Sequence, residues 1–288
     1  MLLALESSPP AWIAVFTILG LLVGSFLNVV IYRTPVILER DWKHQAREIL
    51  GIETDDVQVD VFNLVVPRSR CQQCNALIRA WQNIPVLSYI LLRGRCAKCA
   101  APISLRYPLI ELLTGVLTGF LAWKFGASWE LAGAIIFTWA LLALTFIDFD
   151  HQLLPDDITL GLLWLGLAFS LGNVFVSPRD AIIGAISGYL SLWLIFHAFR
   201  LLTGKEGMGY GDFKLFAALG AWLGWQMLPL VILFSSATGA ILGGALIALH
   251  GRDRAQPIPF GPFLAIAGLI AFLWGDAILG WYLDLYRP

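Results

Sequence analysis

Two aspartates, each next to an apolar segment, are the residues of this sequence best placed for acid–base chemistry. Asp212 lies in the stretch EGMGYGDFK (206–214), and the segment after it is apolar apart from Lys214. Asp148 is the first acid of FIDFDHQLLPDD (146–157), which follows another apolar run. An ionised carboxylate is costly beside an apolar helix, so both positions indicate a functional site.

The other acids near these aspartates have simpler structural explanations. Asp156 or Asp157, directly before an apolar run, is typical of a helix N-cap. Asp150 and His151 fit a solvated loop. Asp212 also fits an N-cap of the helix that follows it, so the residues alone leave two interpretations of this side chain open.

Two carboxylates held together in a low-dielectric site can do the work of an aspartic peptidase. Because neighbouring carboxylates do not both ionise easily, such a pair shares one proton. One member then deprotonates a water while the other protonates a carbonyl oxygen or a leaving amine. We therefore predict that Asp148 and Asp212 are a catalytic pair. We predict that Gly209 and Gly211 form a substrate-binding loop, since glycine allows close backbone approach or torsions closed to other residues.

A second chemical signal is that all four cysteines lie in one segment. They form two C-x-x-C pairs, RCQQCN and RCAKCA, at Cys71, Cys74, Cys96 and Cys99, with 21 residues between the pairs. Two such turns complete a tetrahedral zinc site of the zinc-ribbon type. Disulfides and redox thiols are the alternatives, but stable disulfides are rare in the cytoplasm and a redox role usually needs a single pair. We predict a structural zinc.

The elements that must position these residues are those of a polytopic membrane protein. Of the 288 residues, 58% are hydrophobic and only 14% are charged, with a mean hydropathy of +0.76; these values exclude an ordinary soluble domain. The N-terminus lacks a basic n-region and a cleavage site, so we expect the first span to be retained. We predict an all-α fold with about eight transmembrane helices, at about 11–32, 106–125, 129–147, 158–176, 180–202, 212–226, 227–249 and 259–283.

One polar segment, residues 33–105, interrupts the apolar runs with 10 Lys/Arg and 7 Asp/Glu. We predict a first transmembrane helix (1–32), a small cytoplasmic zinc-binding insertion (33–105) and a multi-helix membrane aspartic peptidase domain (106–288). Placing the insertion in the cytoplasm puts 16 basic residues on that side and 3 on the other, as the positive-inside rule requires. Both aspartates then reach the cytoplasmic face.

Taken together, the motifs resemble those of the type IV prepilin leader peptidases, which are GxGD-type membrane aspartic proteases of the bacterial inner membrane. The G-x-G-D motif lies at 209–212, and an acidic stretch with P-D at its end lies at 148–156. The resemblance extends over nearly the whole chain. It includes the paired C-x-x-C motifs and the stretches GSFLNVVIYR (24–33), NIPVLSY (83–89), RYPLIE (106–111) and PIPFGP (257–262).

The resemblance implies that Asp212 is the GxGD aspartate, Asp148 is its partner, and the four cysteines are the cytoplasmic tetrad of the larger family members. It also implies the substrates: prepilins and pseudopilins of type IV pili and type II secretion, whose short basic leader is removed after a glycine. A further implication is methylation of the new N-terminal residue, usually phenylalanine, with S-adenosylmethionine as methyl donor. The expected location is the inner membrane, with the active site facing the cytoplasm.

Several points stay open at this level. The sequence has no G-x-G-x-x-G fingerprint, so the residues that bind S-adenosylmethionine are unknown; Arg93–Arg95 is either a close-approach turn for it or a solvated hairpin. A proton-coupled transporter and a non-enzymatic secretion scaffold are the competing functions. The acids lie at span ends rather than at the midplane, which disfavours a transporter, and a scaffold leaves them without a role. We expect no nucleic-acid partner, and the oligomeric state is not predicted.

Overall fold

The computed structural model describes residues 8–52, 61–205, 207–250 and 259–285. Over these residues the fold contains helices, turns and two isolated bridges but no strand, which confirms the all-α prediction. The α-helices are α1 (Pro9–Ile49), α2 (Leu87–Leu91), α3 (Arg106–Phe125), α4 (Trp129–His151), α5 (Asp156–Leu171), α6 (Pro178–Thr203), α7 (Tyr210–Leu223), α8 (Leu228–His250) and α9 (Gly261–Asp284).

Helices occur at all eight places where a span was predicted, and they make this a multi-pass membrane protein. Within the described ranges, six stretches are long and apolar enough to cross a membrane: Pro9–Ile49, Arg106–Phe125, Trp129–His151, Pro178–Thr203, Trp225–Leu242 and Gly261–Asp284. The other two, α5 and α7, have 16 and 14 residues. At 1.5 Å per residue they reach about 24 and 21 Å, short of an apolar bilayer core of about 30 Å.

The first helix is much longer than its apolar part. Its apolar stretch agrees with the predicted span, but the helix continues to Ile49 through Pro35. Proline removes one backbone donor, yet the residues after it are mostly good helix formers. An ion pair between Lys43 and Glu39, one turn apart, supports this exposed half. The beginning of the predicted polar insertion is therefore helical.

The chain divides into two compact units, Met1–Ile135 and Ile136–Pro288. In the first unit, α1 packs closely along α3. A Cβ on Gly20 would lie 2.6 Å from Cβ of Thr118, and one on Gly24 would lie 2.7 Å from Cα of Glu111. Small residues at these crossings allow the two helix backbones to approach, as in other membrane helix pairs.

The second unit is arranged around α7. Every residue of this helix from Asp212 to Leu223 is buried except Lys214, so the helix is apolar on all sides and surrounded by protein. It packs against α5, α6 and α9. A Cβ on Gly188 of α6 would lie 2.6 Å from the carbonyl oxygen of Phe216, which explains how α6 comes so close. This surrounding bundle fixes the position of Asp212 in the first turn of α7.

Candidate active site and cysteine cluster

Asp212 lies in the first turn of α7 and is 6% exposed. Gly209 is the N-cap residue of the helix, and Asp212 follows three positions later. The backbone N–H of Gly209 donates to Oδ2 of Asp212 at 3.2 Å. Asp212 therefore makes the return half of a capping box, and the interpretation of Asp212 as the N-cap residue itself is wrong.

Asp148 lies in the last turn of α4 and is 5% exposed. Its Oδ2 has no hydrogen-bond partner among the residues that the structure describes. The backbone N–H of Gly261, the first residue of α9, faces the carboxyl group. The positive end of the α9 dipole is thus directed at Asp148. A Cβ on Gly261 would lie 2.6 Å from Oδ2.

Leu154 joins these two parts of the site. It is buried in the turn between α4 and α5. A Cβ on Gly211 would lie 2.8 Å from Cβ of Leu154, and a Cβ on Gly261 would lie 3.1 Å from its Cδ1. The starts of α7 and α9 therefore pack against the same leucine, which brings the surroundings of Asp212 and of Asp148 together. The two predicted aspartates share one buried site; their catalytic role stays a prediction.

The two glycines of the predicted substrate-binding loop differ in their surroundings. Gly209 has φ −84°, and neither glycine has a positive φ, so the expectation of torsions closed to other residues is wrong. At Gly211 the backbone does lie close to another residue, but that residue is Leu154 of the same chain and not a substrate. At Gly209, no atom lies nearer than 3.9 Å to a would-be Cβ. Substrate binding by this loop stays a prediction.

The remaining acids of residues 146–157 are exposed. Pro155, not an aspartate, is the N-cap residue of α5, and no side chain caps the helix there, so the cap assigned to Asp156 or Asp157 is wrong. Both acids lie instead in the first turn, where the helix dipole favours them. Asp156 also accepts from Nζ of Lys214 at 2.7 Å with each carboxylate oxygen. This pair ties the start of α5 to the start of α7.

Sequence reasoning missed three residues of this site: Leu154, Gly261 and Lys214. For two of them a signal was available. Lys214 is a lone cation in an apolar segment two positions after Asp212, and Gly261 belongs to PIPFGP, of which residues 257–258 lie outside the described part of the chain. Leu154 carries no such signal, because an apolar residue in a turn is common.

The four cysteines form one cluster. Their sulfur atoms all lie within 4.8 Å of one another, and Sγ of Cys71 is 3.8 Å from Sγ of Cys99. Four thiolates at the usual Zn–S distance of about 2.3 Å have sulfurs about 3.8 Å apart in a tetrahedron. The spacing therefore fits a zinc ion held by Cys71, Cys74, Cys96 and Cys99.

The two halves of the cluster have the same local fold. The N–H of Cys71 donates to the carbonyl oxygen of Ala76 at 2.9 Å, and that of Cys96 to Ala101 at 2.8 Å. The residue after the second cysteine has a positive φ in both halves, 54° at residue 75 and 56° at residue 100. Within the second half, the backbone N–H groups of residues 99 and 98 lower the pKa of Cys96 to about 6. The lowered pKa favours the thiolate of Cys96, the form that binds metal. At Cys99 the backbone N–H of residue 101 acts in the same direction, but the neighbouring thiols, Cys74 first, raise its pKa to about 11.

The Arg93–Arg95 turn requires a glycine at position 94, because of its backbone torsion and of the side chain packed against it. Gly94 has φ +66°, and a Cβ there would lie 2.7 Å from Oη of Tyr89. The close approach that this glycine allows is therefore to a side chain of the same segment. Of the two interpretations that the sequence left open, this geometry favours the solvated hairpin, in which Arg93 and Arg95 are exposed.

Comparisons with known proteins agree with this division of the chain. Residues 18–125 match the Bacterial Peptidase A24 N-terminal domain, and residues 135–244 match the Type IV leader peptidase family. The chain is 54% identical to a prepilin leader peptidase/N-methyltransferase of Stutzerimonas stutzeri, over 98% of each chain. A protein of the same name from Pseudomonas aeruginosa is 55% identical, over 97% of this chain and 96% of that one. No solved structure matches. The chain belongs to the type IV leader peptidase family.

Proposed function

We propose that this chain is a membrane aspartic peptidase that removes the basic leader from type IV prepilins and pseudopilins and then methylates the new N-terminal amine. One observation carries the peptidase assignment. Asp148 and Asp212, from different helices, are buried in one site, whereas the other acids of residues 146–157 are exposed. The names of the relatives support the second activity.

The aspartate pair has the groups that peptide hydrolysis needs. A water between the carboxyls gives a proton to one aspartate while its oxygen attacks the scissile carbonyl carbon; the other aspartate protonates the carbonyl oxygen. As the intermediate collapses, the C–N bond breaks and the leaving nitrogen takes a proton from the pair. We assign the water-binding role to Oδ2 of Asp148, because this oxygen has no partner among the described residues.

The backbone around the site holds the two carboxyl groups in place before the substrate arrives. The Gly209 N–H holds one oxygen of Asp212, and the Gly261 N–H faces Asp148. Fixed amide dipoles of this kind need no rearrangement during the reaction, which is the basis of electrostatic preorganisation.

We place the active site on the cytoplasmic face of the inner membrane. The distribution of basic residues, 16 to 3 across the predicted loops, supports this orientation. A prepilin carries its basic leader at the cytoplasmic end of an apolar helix, and the same rule keeps that leader in the cytoplasm. Substrate and aspartates then meet on the same side.

The two cofactors have different roles in this proposal. Zinc, held by the four cysteines, stabilises the polar segment and takes no part in the reaction, since four protein ligands leave no open coordination position. S-adenosylmethionine would supply the methyl group, which the N-terminal amine of the cleaved pilin would take in exchange for a proton.

The test uses the purified full-length chain in detergent with a full-length prepilin. Mass spectrometry is expected to show loss of the leader and, after addition of S-adenosylmethionine, one further methyl group on the product. A transporter or a scaffold leaves the prepilin intact. Intact prepilin, recovered under conditions where an authentic relative cleaves it, refutes the peptidase assignment.

A further inference from the structure

Three motifs of the sequence have no part in the aspartate site, and they meet in the first compact unit. They are the stretches 24–33, 83–89 and 106–111. Two of them line a cavity of about 260 Å³ between α1 and the segment that follows it. Its polar and central lining residues are Ser25, Phe26, Val29, Arg33, Ser69 and Asn83. The third motif supplies Glu111, which supports the wall of this cavity.

Arg33 is a buried cation beside the cavity. It is 8% exposed, and its Nη1 and Nη2 donate to the carbonyl oxygens of Asn63 at 2.8 Å and Pro67 at 2.6 Å. A guanidinium has five N–H donors, so these two bonds leave further donors. No carboxylate in the described part of the chain forms an ion pair with Arg33. A buried charge is costly unless an opposite charge accompanies it.

Hydrogen bonds hold both walls of the cavity in place. On one side, Oδ1 of Asn63 accepts from the N–H groups of Val65 at 2.8 Å and Val66 at 2.7 Å, which fixes the turn next to Arg33. On the other side, Oε2 of the buried Glu111 accepts from the N–H of Val86 at 2.8 Å, and its carboxyl group also contacts Ser25.

The cavity lies where the chain changes from apolar to polar. Leu22, Phe26 and Val29 form its apolar side on the membrane-spanning part of α1, whereas Arg33 and Ser69 form its polar side. The amine to be methylated begins the apolar helix of a mature pilin. An amine at the start of an apolar helix would lie at the same kind of boundary.

We propose that this cavity binds the methyl donor S-adenosylmethionine, with Arg33 as the partner of its carboxylate. The proposal rests on the methyl transfer proposed above. A volume of about 260 Å³ is slightly below the roughly 300–1,000 Å³ of typical small-molecule sites, and the cavity is open on one side. Its hydroxyl and amide groups suit the ribose and amino groups of the donor, and its apolar side suits the purine ring.

Direct binding tests the site without any turnover. Isothermal titration of the purified protein with S-adenosylmethionine, and with its unreactive product S-adenosylhomocysteine, measures Kd. Val29→Phe fills the cavity, so we expect Kd to rise about tenfold or more. The matched control is Val15→Phe, which adds the same bulk to a 44% exposed position of α1 that does not line the cavity. Binding by Val29→Phe within twofold of wild type overturns the proposal.

A second pair of variants tests the charge. Arg33→Met removes the buried cation, and we expect a similar loss of affinity. Arg40→Met is the control, because Arg40 lies on the same helix and stacks on Phe62 at 4.3 Å but does not line the cavity. Equal losses in the two variants refute the role of Arg33. Prepilin cleavage by each preparation reports whether the protein is folded.

Ultraviolet crosslinking of radiolabelled S-adenosylmethionine to the wild-type chain locates the site without any mutation. We expect the label in peptides that contain residues 22–33 or 63–69, and label confined to other peptides overturns the proposal.

The isothermal titration with S-adenosylmethionine is also repeated in phosphatidylglycerol and phosphatidylcholine nanodiscs. Equal binding is expected, whereas loss in phosphatidylglycerol assigns the cavity to an anionic lipid. A chain that binds the donor here but methylates nothing keeps the site and refutes the proposed methyl transfer.

Discussion

Gly261 lies directly against Asp148, so close that a Cβ on the glycine would be 2.6 Å from Oδ2 of the carboxylate. This glycine begins α9 and lies outside residues 135–244, which match the peptidase family. The missing side chain leaves Oδ2 free for a water, and the glycine N–H faces the same carboxyl group. The aspartate site is therefore completed from a helix beyond the matched region.

Gly261→Ala is expected to reduce kcat for prepilin cleavage roughly 100-fold, because a displacement of about 1 Å at a reacting group has that effect. KM should stay within twofold, since the added methyl group contacts Asp148 and not the leader. Steady-state kinetics with purified enzyme separate the two constants. Methylation of a pre-cleaved pilin should persist.

Two alanine variants are the controls for this change. Gly161→Ala adds a methyl group in α5 where no atom lies within 4 Å, and it should be neutral. Gly268→Ala, on α9 itself, places a Cβ 2.5 Å from Cδ2 of Leu219 and measures the effect of crowding on this helix away from Asp148. If Gly261→Ala and Gly268→Ala have the same kinetics, Gly261 is only a packing residue.

The sequence predicted the parts of the fold that depend on local pattern. Apolar runs predicted the places of eight helices, six of which are long enough to cross a membrane, and the C-x-x-C spacing predicted the cysteine cluster. Asp148 and Asp212 were identified because each carboxylate borders an apolar helix. The end of α1 was not predicted, because an exposed helix of good helix formers has no apolar stripe that marks its limits.

The contacts that complete the site depend on tertiary structure and could not be predicted. Leu154 meets Gly211 and Gly261 only because three helix ends converge. The pairing of Lys214 with Asp156 joins residues 58 positions apart. Sequence reasoning treated Asp156 or Asp157 as a local cap because a cap is the commonest use of an aspartate before a helix.

One zinc ion per chain is expected in protein purified without chelators. Cys96→Ser should reduce this content strongly and speed amide hydrogen exchange in residues 67–104, while the membrane helices keep their protection, because the metal holds a segment with few other contacts. Elemental analysis and hydrogen-exchange mass spectrometry measure the two effects. Lys98→Ala, between two ligands but contributing only its backbone, should keep the zinc. Zinc-free wild-type protein with full activity contradicts the assignment.

The proposed orientation predicts a common labelling pattern on one membrane face. Single cysteines at Glu48, Gln152 and Lys205, in a background without the native cysteines, should react with an impermeant maleimide only after the inner membrane is opened. A cysteine at Ser128, on the opposite side in the predicted topology, should react in intact spheroplasts. Opposite behaviour of Gln152 and Lys205 would be incompatible with Asp148 and Asp212 meeting on one face.

Loss of the ion pair between Lys214 and Asp156 should weaken the enzyme only moderately. The two side chains are 27% and 55% exposed, and exposed ion pairs contribute about 1 kcal/mol or less. Lys214→Met is therefore expected to lower kcat/KM by roughly fivefold or less. The charge-swapped double variant Lys214→Asp/Asp156→Lys should recover part of this loss. A swapped variant that is worse than Lys214→Met shows that the pair does not act through its mutual attraction.

Substitution of either Asp148 or Asp212 is expected to cause the largest loss of prepilin cleavage. Asp148→Asn and Asp212→Asn should each reduce cleavage roughly 1,000-fold or more, and the double variant should be little worse, since residues that act as a unit give non-additive losses. Asparagine is nearly isosteric with aspartate, so zinc content should be unchanged.

Asp150→Asn and Asp157→Asn, at exposed positions of the same stretch, are the controls and should keep most of the cleavage activity. Cleavage is measured by mass spectrometry of prepilin incubated with each purified variant. Near-normal activity of either Asp148→Asn or Asp212→Asn rules out the paired mechanism, and an inactive Asp150→Asn beside an active Asp148→Asn moves the partner role to Asp150.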